Sequence, residues 1–211
     1  MKVYVVGYAT GYARFISDLE LVNNIEEADV VLFTGGCDVD PSTYGKKRHH
    51  SVYSDLRRDK QEIDAFKRMR KDQLAYGTCR GFQLLGVLNG ANLVQDCNNH
   101  CGSRHQITNG EETYMINSIH HQMVYPYDLP EEDYTILFKS NGIGSYYEGD
   151  GIDPNVIMEK GEPEIAVFHK KDMPICLGVQ GHPEMMPDSP VAKMIDKLIH
   201  EYVAEKCHNR G

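Results

Sequence analysis

Hydrophobic residues in the first half of the chain form short continuous runs. Residues 3–6 and 29–33 each predict a strand, because β-branched and aromatic runs bounded by glycine are typical of strands buried on both faces. Residues 19–22 predict another short strand, and residues 24–27 a helical turn. The first part of the chain is therefore predicted to contribute several strands to one sheet.

Helical spacing of the apolar positions appears between these strands. Residues 57–71 are strongly charged with apolar residues three apart, which predicts an amphipathic surface helix. Residues 74–77 predict a short strand, and residues 79–89 a leucine-rich helix directly after it. This β-α-β-α order predicts an α/β fold with a parallel sheet covered by helices.

The second half of the chain has a different pattern. Four strands are predicted there with no long helix between them, at residues 112–119, 134–140, 165–169 and 175–180. The glycine-rich and acidic residues 140–162 predict a surface loop or hairpin, and residues 190–206 a closing amphipathic helix. Because no repeat or linker divides the chain, we expect a single domain over residues 1–211.

Composition narrows the class of protein. The 211 residues are 41% hydrophobic and 25% charged, as in ordinary globular domains, and the net charge of −9 argues against a nucleic-acid-binding surface. No apolar run approaches the roughly 18 residues of a membrane span, and the N-terminal run is too short for a signal peptide. The six cysteines are therefore expected to be reduced thiols in a cytoplasmic protein without nucleic-acid or membrane partners.

The segment Gly77-Thr78-Cys79-Arg80-Gly81 carries the strongest chemical signal. A predicted strand runs through Gly-x-Cys-x-Gly directly into a helix, which is the cysteine form of a nucleophile elbow. Glycines on either side remove side chains that would clash in the tight turn. The positive end of the helix dipole then favours the thiolate, so Cys79 is the predicted nucleophile.

A cysteine nucleophile needs a base, a group that orients the base, and donors for the oxyanion. His182 and Glu184 follow the strand predicted at residues 175–180, and ligands of open α/β sheets bind beyond the carboxyl ends of the strands. We therefore predict a Cys79–His182–Glu184 triad. The backbone N–H of Arg80 is one predicted oxyanion donor, and the backbone of Gly35 and Gly36 is the second.

Several segments in chain order resemble one known family. Two of them, Gly77-Thr78-Cys79-Arg80-Gly81-Phe82-Gln83-Leu84-Leu85 and Gly178-Val179-Gln180-Gly181-His182-Pro183-Glu184, resemble the class I, triad-type glutamine amidotransferase superfamily. Further segments resemble its γ-glutamyl-γ-aminobutyrate hydrolase branch: residues 33–41, Tyr44-Gly45, Arg58-Asp59 with Glu62, Gln95-Asp96, and residues 117–122. The sequence departs from the branch at Gly181, where an aromatic residue is common, and at Gly86, where asparagine is usual.

The resemblance implies a flavodoxin-like three-layer α/β/α sandwich, with a mostly parallel central sheet and extra antiparallel strands in the second half. It implies that Cys79 attacks the γ-carbonyl of glutamine or of a γ-glutamyl amide, with His182 as acid and base. Gln83, and the backbone around His121 and Gln122, correspond to family positions that hold the glutamyl group. No metal and no organic cofactor are expected.

Two other interpretations of the histidines stay open from sequence. His120 and His121 are an alternative base, although nothing in the sequence orients them. Cys97, His100, Cys101 and His105 resemble a zinc site, but their spacing departs from a structural knuckle and no second ligand pair follows. A polar loop near the pocket is the simpler interpretation of that segment.

Three functional hypotheses follow. The first is a stand-alone hydrolase that acts on a small-molecule γ-glutamyl substrate through a thioester on Cys79. The second is a glutaminase subunit that delivers ammonia to a separate synthase or ligase partner. The third is a non-catalytic binding protein on the same scaffold, which the presence of all three triad residues disfavours.

Overall fold

The strands and helices are taken from a computed structural model, which describes residues 1–7 and 9–208. The strands are Lys2–Val5 (β1), Glu20–Leu21 (β2), Val30–Phe33 (β3), Leu74–Thr78 (β4), Asn92–Val94 (β5), Asp96–Cys97 (β6), Cys101–Thr108 (β7), Thr113–Ile119 (β8), Met123–Tyr125 (β9), Tyr134–Ser140 (β10), Tyr147–Glu148 (β11), Glu162–Phe168 (β12) and Ile175–Val179 (β13). The α-helices are Leu56–Lys67 (α1), Arg80–Leu88 (α2), Pro154–Lys160 (α3) and Pro190–His208 (α4).

A nine-stranded sheet forms the centre of the fold, in the order β2-β1-β3-β4-β13-β12-β10-β7-β8. Pairing is parallel from β2 to β13 and antiparallel from β13 to β8. The predicted α/β fold is confirmed, with its parallel sheet and its additional antiparallel strands in the second half of the chain. The parallel strands β3, β4 and β13 are the ones that lead into the candidate site.

Helices cover both faces of this sheet. On one face, Val191, Ile195 and Ile199 of α4 join the hydrophobic core under the parallel strands. On the other face, Phe66 of α1 and Phe82 of α2 pack in a second core. Because strands at the centre of the sheet are covered on both sides, β3 and β4 are buried throughout, which explains their continuous apolar runs.

Most predicted elements are found close to their expected bounds, including the short strand β2 and a 3-10 turn at Ile25–Glu27. Two helices and one strand differ at their ends. Helix α1 begins at Leu56 and ends at Lys67, short of residue 71, and α4 extends beyond residue 206. Strand β12 begins at Glu162, which lies within the residues expected to form a loop.

The prediction of a surface loop or hairpin over residues 140–162 is wrong in part. This segment contains helix α3 and strand β11. Strand β11 pairs with β6 and not with a neighbouring hairpin strand. The Asp153 side chain caps α3 by accepting the backbone N–H of Asn155, and Pro154 takes the first helical position. The Asp-Pro pair is a helix start signal, but the apolar pattern after it is too short for its periodicity to reveal the helix.

The expected polar loop around residues 97–105 is also wrong, because residues from Cys101 onward form β7 and pair with β8. Across residues 1–7 and 9–208, no helix is long and apolar enough to cross a bilayer.

Candidate active site

Cys79 occupies a strained turn between β4 and α2. Its backbone has φ 53° and ψ −111°, outside the region that side-chain-bearing residues prefer. A Cβ on Gly77 would lie 2.6 Å from the backbone of Gly81, and a Cβ on Gly81 would lie 2.1 Å from the carbonyl oxygen of Phe33. Both glycines are therefore required by the close approach of α2 to the sheet, as the elbow motif predicts.

His182 reaches the same edge of the sheet from β13. Strand β13 pairs in parallel with β4, and the backbone N–H of Cys79 donates to the carbonyl oxygen of Val179 at 2.7 Å. His182 comes soon after Val179 in the chain and therefore lies at the same edge of the sheet as Cys79. Nδ1 of His182 lies 2.7 Å from Oε1 of Glu184, and the His182 backbone N–H donates to Oδ1 of Asn117 at 3.0 Å. The structure thus brings together the three predicted catalytic side chains, all of them buried.

The electrostatic environment favours a cationic His182. Burial lowers its pKa, but side-chain hydrogen bonding with Cys79 and Glu184 and their negative charges outweigh burial and raise the pKa to about 10. At neutral pH the imidazole is then protonated and can stabilise negative charge on the sulfur. The arrangement is that of a nucleophile, an acid-base group and an orienting carboxylate.

The predicted oxyanion segment, Thr34-Gly35-Gly36, follows β3 on the same edge, and we call it the oxyanion loop. A Cβ on Gly35 would lie 3.0 Å from Cε1 of His182, so the loop passes directly beside the imidazole. Nη2 of Arg58 donates to the carbonyl oxygens of Thr34 at 3.1 Å and Gly35 at 2.8 Å. Gly36 has φ +139°, and a Cβ there would meet this guanidinium. Arg58 therefore holds the oxyanion loop in place through hydrogen bonds to its backbone.

A buried ion-pair network links α1 to the elbow. The Arg80 side chain is 1% exposed and pairs with Asp59 and Glu62 of α1. Burial, and next the nearby Arg58, lower the pKa of Arg80 to about 10, so it stays charged at neutral pH. Nε of Arg58 lies 2.9 Å from Oε1 of Glu62, which closes the network toward the oxyanion loop. Sequence reasoning assigned only the Arg80 backbone a role.

The predicted substrate-binding residues lie beside one another. Nε2 of Gln83 donates to the carbonyl oxygen of Gln122 at 2.8 Å and approaches Oε1 of Gln180 at 3.4 Å. His121 is half-buried between two carboxylates, with Nδ1 3.0 Å from Asp96 and Nε2 3.2 Å from Asp38. The geometry joins Gln83 to Gln122 and holds His121 in a defined orientation.

The alternative base His120-His121 looks different in the structure. Nothing in the sequence orients His121, but in the structure Asp38 and Asp96 hold both of its ring nitrogens. These contacts, the first of them that with Asp38, raise the pKa of His121 to about 8. His120 is buried, and burial followed by the charges of His100 and His105 lowers its pKa well below the usual value. Neither has the contact with Cys79 that His182 has.

Tyr12 is a site residue that sequence reasoning missed. A Cβ on Gly35 would lie 2.8 Å from its hydroxyl oxygen, and its ring centroid is 6.2 Å from that of His182. Burial, then the charges of Glu184 and Cys79, raise its pKa, so the phenol stays neutral. Tyr12 also lines a cavity of about 440 Å³ beside the oxyanion loop. It lies in a 3-10 turn without a distinctive pattern, so no sequence signal marks it.

Two departures from the resembling branch have local causes. A Cβ on Gly181 would lie 2.5 Å from Cγ1 of Ile116 and 2.6 Å from the carbonyl oxygen of Asn117, so an aromatic side chain does not fit. A Cβ on Gly86 would already lie 3.0 Å from Cγ1 of Val124, so asparagine there would require Val124 to shift. In both cases the packing of β8 or β9 replaces the missing side chain.

Comparison with known proteins now identifies the family. The sequence profile of Peptidase C26 matches residues 15–123, which include the oxyanion loop and the elbow. The chain belongs to the Peptidase C26 family. A glutamine amidotransferase-like protein of Lactococcus lactis subsp. cremoris, the YvdE homolog, is 30% identical over a 141-residue alignment that covers 54% of this chain and 75% of the relative.

Solved structures agree with the fold. A protein of Thermoplasma acidophilum named as a GMP synthase subunit has a TM-score of 0.60 at 15% identity, covering 100% of this chain and 96% of that one. A glutamine amidotransferase of Thermotoga maritima has a TM-score of 0.55 at 15% identity, covering 98% and 91%. At this identity the likeness concerns the fold. The family and its curated relative support a hydrolase or amidotransferase that acts on a C–N bond.

Proposed function

We propose that the protein hydrolyses γ-glutamyl amide bonds through a γ-glutamyl thioester on Cys79. The observation that carries this proposal is the convergence of Cys79, His182 and Glu184 beside the oxyanion loop. The membership in Peptidase C26 supports amide-bond chemistry at this site.

The first half-reaction forms the thioester. The Cys79 thiolate attacks the γ-carbonyl carbon, and the backbone N–H groups of Arg80, Gly35 and Gly36 stabilise the resulting oxyanion. The His182 imidazolium then donates its proton to the departing nitrogen, the C–N bond breaks, and the amine leaves. His182 is left neutral, with Glu184 fixing its orientation through Nδ1.

The second half-reaction releases glutamate. Neutral His182 accepts a proton from water, whose oxygen attacks the thioester carbonyl, and the C–S bond breaks to restore the thiolate beside the imidazolium. Gln83 and the backbone around His121 and Gln122 are assigned to the glutamyl end of the substrate. The hydrogen bond between Gln83 and Gln122 supports the assignment of both residues to one wall of the glutamyl-binding site.

The test is glutamate release by the purified protein from glutamine and a panel of γ-glutamyl amines, with Cys79→Ser as control. We expect turnover that is strong for particular γ-glutamyl amines and absent in the variant. Capture of a γ-glutamyl adduct on Cys79, seen by mass spectrometry after rapid acid quench, would establish the thioester. Preferred release from amides without a γ-glutamyl group would refute the substrate assignment.

A second candidate is an ammonia-donating glutaminase subunit. The full-length likeness to a structure named as a GMP synthase subunit favours it. It predicts weak glutamate release by the isolated chain and strong stimulation by a synthase or ligase partner. Full activity of the isolated chain on γ-glutamyl amines would argue against it. A non-catalytic binding protein predicts no turnover and no adduct under either condition.

A further inference from the structure

A second cluster of ionisable side chains lies buried where the residues at the base of the β7–β8 hairpin meet β12. It comprises His100, His105 and His120 with Glu162 and Glu164, and none of the five is more than 6% exposed. The ring centroids of His100 and His120 are 4.7 Å apart, and those of His100 and His105 are 5.3 Å apart. Two carboxylates and three imidazoles in an interior require compensation for their lost hydration.

His100 is held so that one ring nitrogen remains available. Its Nε2 lies 3.1 Å from Oε1 of Glu162, which makes Nε2 the protonated nitrogen facing the carboxylate. Its Nδ1 has Ser118 Oγ at 3.4 Å, but that hydroxyl donates to the His100 carbonyl oxygen at 2.6 Å. The Nδ1 lone pair therefore has no donor. A carboxylate behind a histidine is the usual support of a metal-binding imidazole.

Glu164 is oriented in the same manner. Its Oε1 accepts from Nε2 of His105 at 2.6 Å and from Oγ of Ser140 at 3.1 Å. Its Oε2 is buried and makes no hydrogen bond. Neither ring nitrogen of the buried His120 has a hydrogen-bond partner of good geometry, although the imidazole lies near the backbone of Gln122. Buried polar atoms without partners are uncommon and indicate a missing ligand or water.

The three side chains converge. One ligand atom from each of His100, His120 and Glu164 lies within 4.8 Å of the others. A point therefore exists within about 2.8 Å of all three atoms, and shifts of roughly 0.7 Å would bring them to the zinc–ligand distance of about 2.0–2.1 Å. Two imidazoles and one carboxylate are a ligand set that suits zinc, and a fourth position remains for water.

We propose that His100, His120 and Glu164 bind one divalent transition-metal ion of the zinc class and thereby tie the β7–β8 hairpin to β12. Glu162 and His105 are positioning residues that orient two of the ligands. This site differs from the Cys97, His100, Cys101 and His105 set suggested by spacing, since Cys101 is exposed and Cys97 lies on β6. The proposal does not depend on the proposed amide hydrolysis.

The experiment uses the full chain in a Cys79→Ser background, so that the candidate active site offers no thiolate to the metal. Protein dialysed against a chelator and then against metal-free buffer is titrated with ZnCl₂ by calorimetry and with CoCl₂ by visible absorption. Glu164→Gln and His120→Gln remove ligands. His49→Gln is the matched control, because His49 belongs to a more exposed group with Asp96 and Glu148.

We expect about one zinc equivalent in the Cys79→Ser protein, a cobalt spectrum without thiolate charge-transfer absorption, and a rise of Tm on zinc addition. Each ligand substitution should weaken binding at least roughly tenfold and remove the Tm rise, and His49→Gln should do neither. Where a substituted chain does not fold, the stoichiometry and cobalt spectrum of the Cys79→Ser protein decide.

Three results of the binding measurements would overturn the proposal. They are the lack of stoichiometric zinc binding, binding that a folded Glu164→Gln or His120→Gln chain retains, and binding that His49→Gln removes. A thiolate-to-cobalt absorption band would also overturn it, by placing the ion on one of the remaining cysteines.

Discussion

The protonation state of His182 provides the most direct test of the site, because it does not require the substrate to be known. Burial disfavours the imidazolium, but the contacts with Cys79 and Glu184 outweigh burial and raise the pKa of His182 to about 10. At 1.36 kcal/mol for each pKa unit, the rise from 6.5 to about 10 corresponds to about 5 kcal/mol in favour of the charged form. Cys79 and Glu184 together must supply this free energy and also offset the cost of burial.

The perturbation is Glu184→Gln, which removes the negative charge and leaves an amide oxygen of similar shape facing Nδ1. Loss of a hydrogen-bonded opposite charge lowers a pKa by about 1–3 units, so His182 should titrate at roughly 7–9. Adding Cys79→Ser replaces the second charged partner by a neutral hydroxyl. Because burial is the largest single contribution, the pKa of His182 in the double variant should fall below 6.5.

The assay is NMR titration of isotope-labelled histidines between pH 5 and 11, with the His182 signal assigned by its loss in His182→Gln. His200 is a half-exposed internal reference that should be unaffected by the substitutions. The sign is fixed by linkage, since a raised pKa means that the imidazolium persists until the pH passes about 10. Titration of wild-type His182 near 6.5, or an unchanged pKa in Glu184→Gln, would refute the reasoning.

Two further predictions concern packing and positioning. Gly178→Ala should lower the free energy of unfolding, measured by chemical denaturation, by about 1–3 kcal/mol or more, because the new Cβ would lie 1.7 Å from the Phe82 ring. Gly11→Ala is the control, since a Cβ at Gly11 would have nothing within 4 Å. Arg58→Ala should lower kcat by about tenfold to a hundredfold with a smaller change in KM, since the oxyanion loop loses its support, whereas exposed Arg57→Ala should not. Equal stability of the two glycine variants, or equal kcat of the two arginine variants, would contradict these expectations.

The elbow and the parallel strands were predictable because their signals are local. Cys79 needs a positive φ, and its flanking glycines need close contact with α2, so the sequence around one turn contains the whole requirement. Strands β3 and β4 are apolar throughout because both of their faces are covered. Placing His182 required one further rule, that parallel strands end on the same edge of the sheet.

Strand β7 of the antiparallel part of the sheet was harder to predict because little of it is apolar. In β7 only His105 and Ile107 are buried, so the alternation that marks a strand is carried in part by a histidine. His100 directly precedes β7, His120 directly follows β8, and Glu164 lies in β12. The three residues meet only because the folded chain brings β12 beside this hairpin, from which it is distant in sequence. Spacing along the chain therefore could not reveal that His100 lies beside His120 and Glu162.

The Arg80 network shows why a helix predicted to be a solvated surface element matters for the candidate chemistry. A buried guanidinium at the start of α2 would be costly without partners, and the positive end of the helix dipole would repel it. Asp59 and Glu62 neutralise Arg80, and Arg58 restores the balance, so two cations meet two carboxylates with no net charge. Through Arg80 the network holds the elbow, and through Arg58 it holds the oxyanion loop. One face of α1 thus sets the candidate nucleophile and the predicted oxyanion donors relative to each other, which is the alignment that acyl transfer would require.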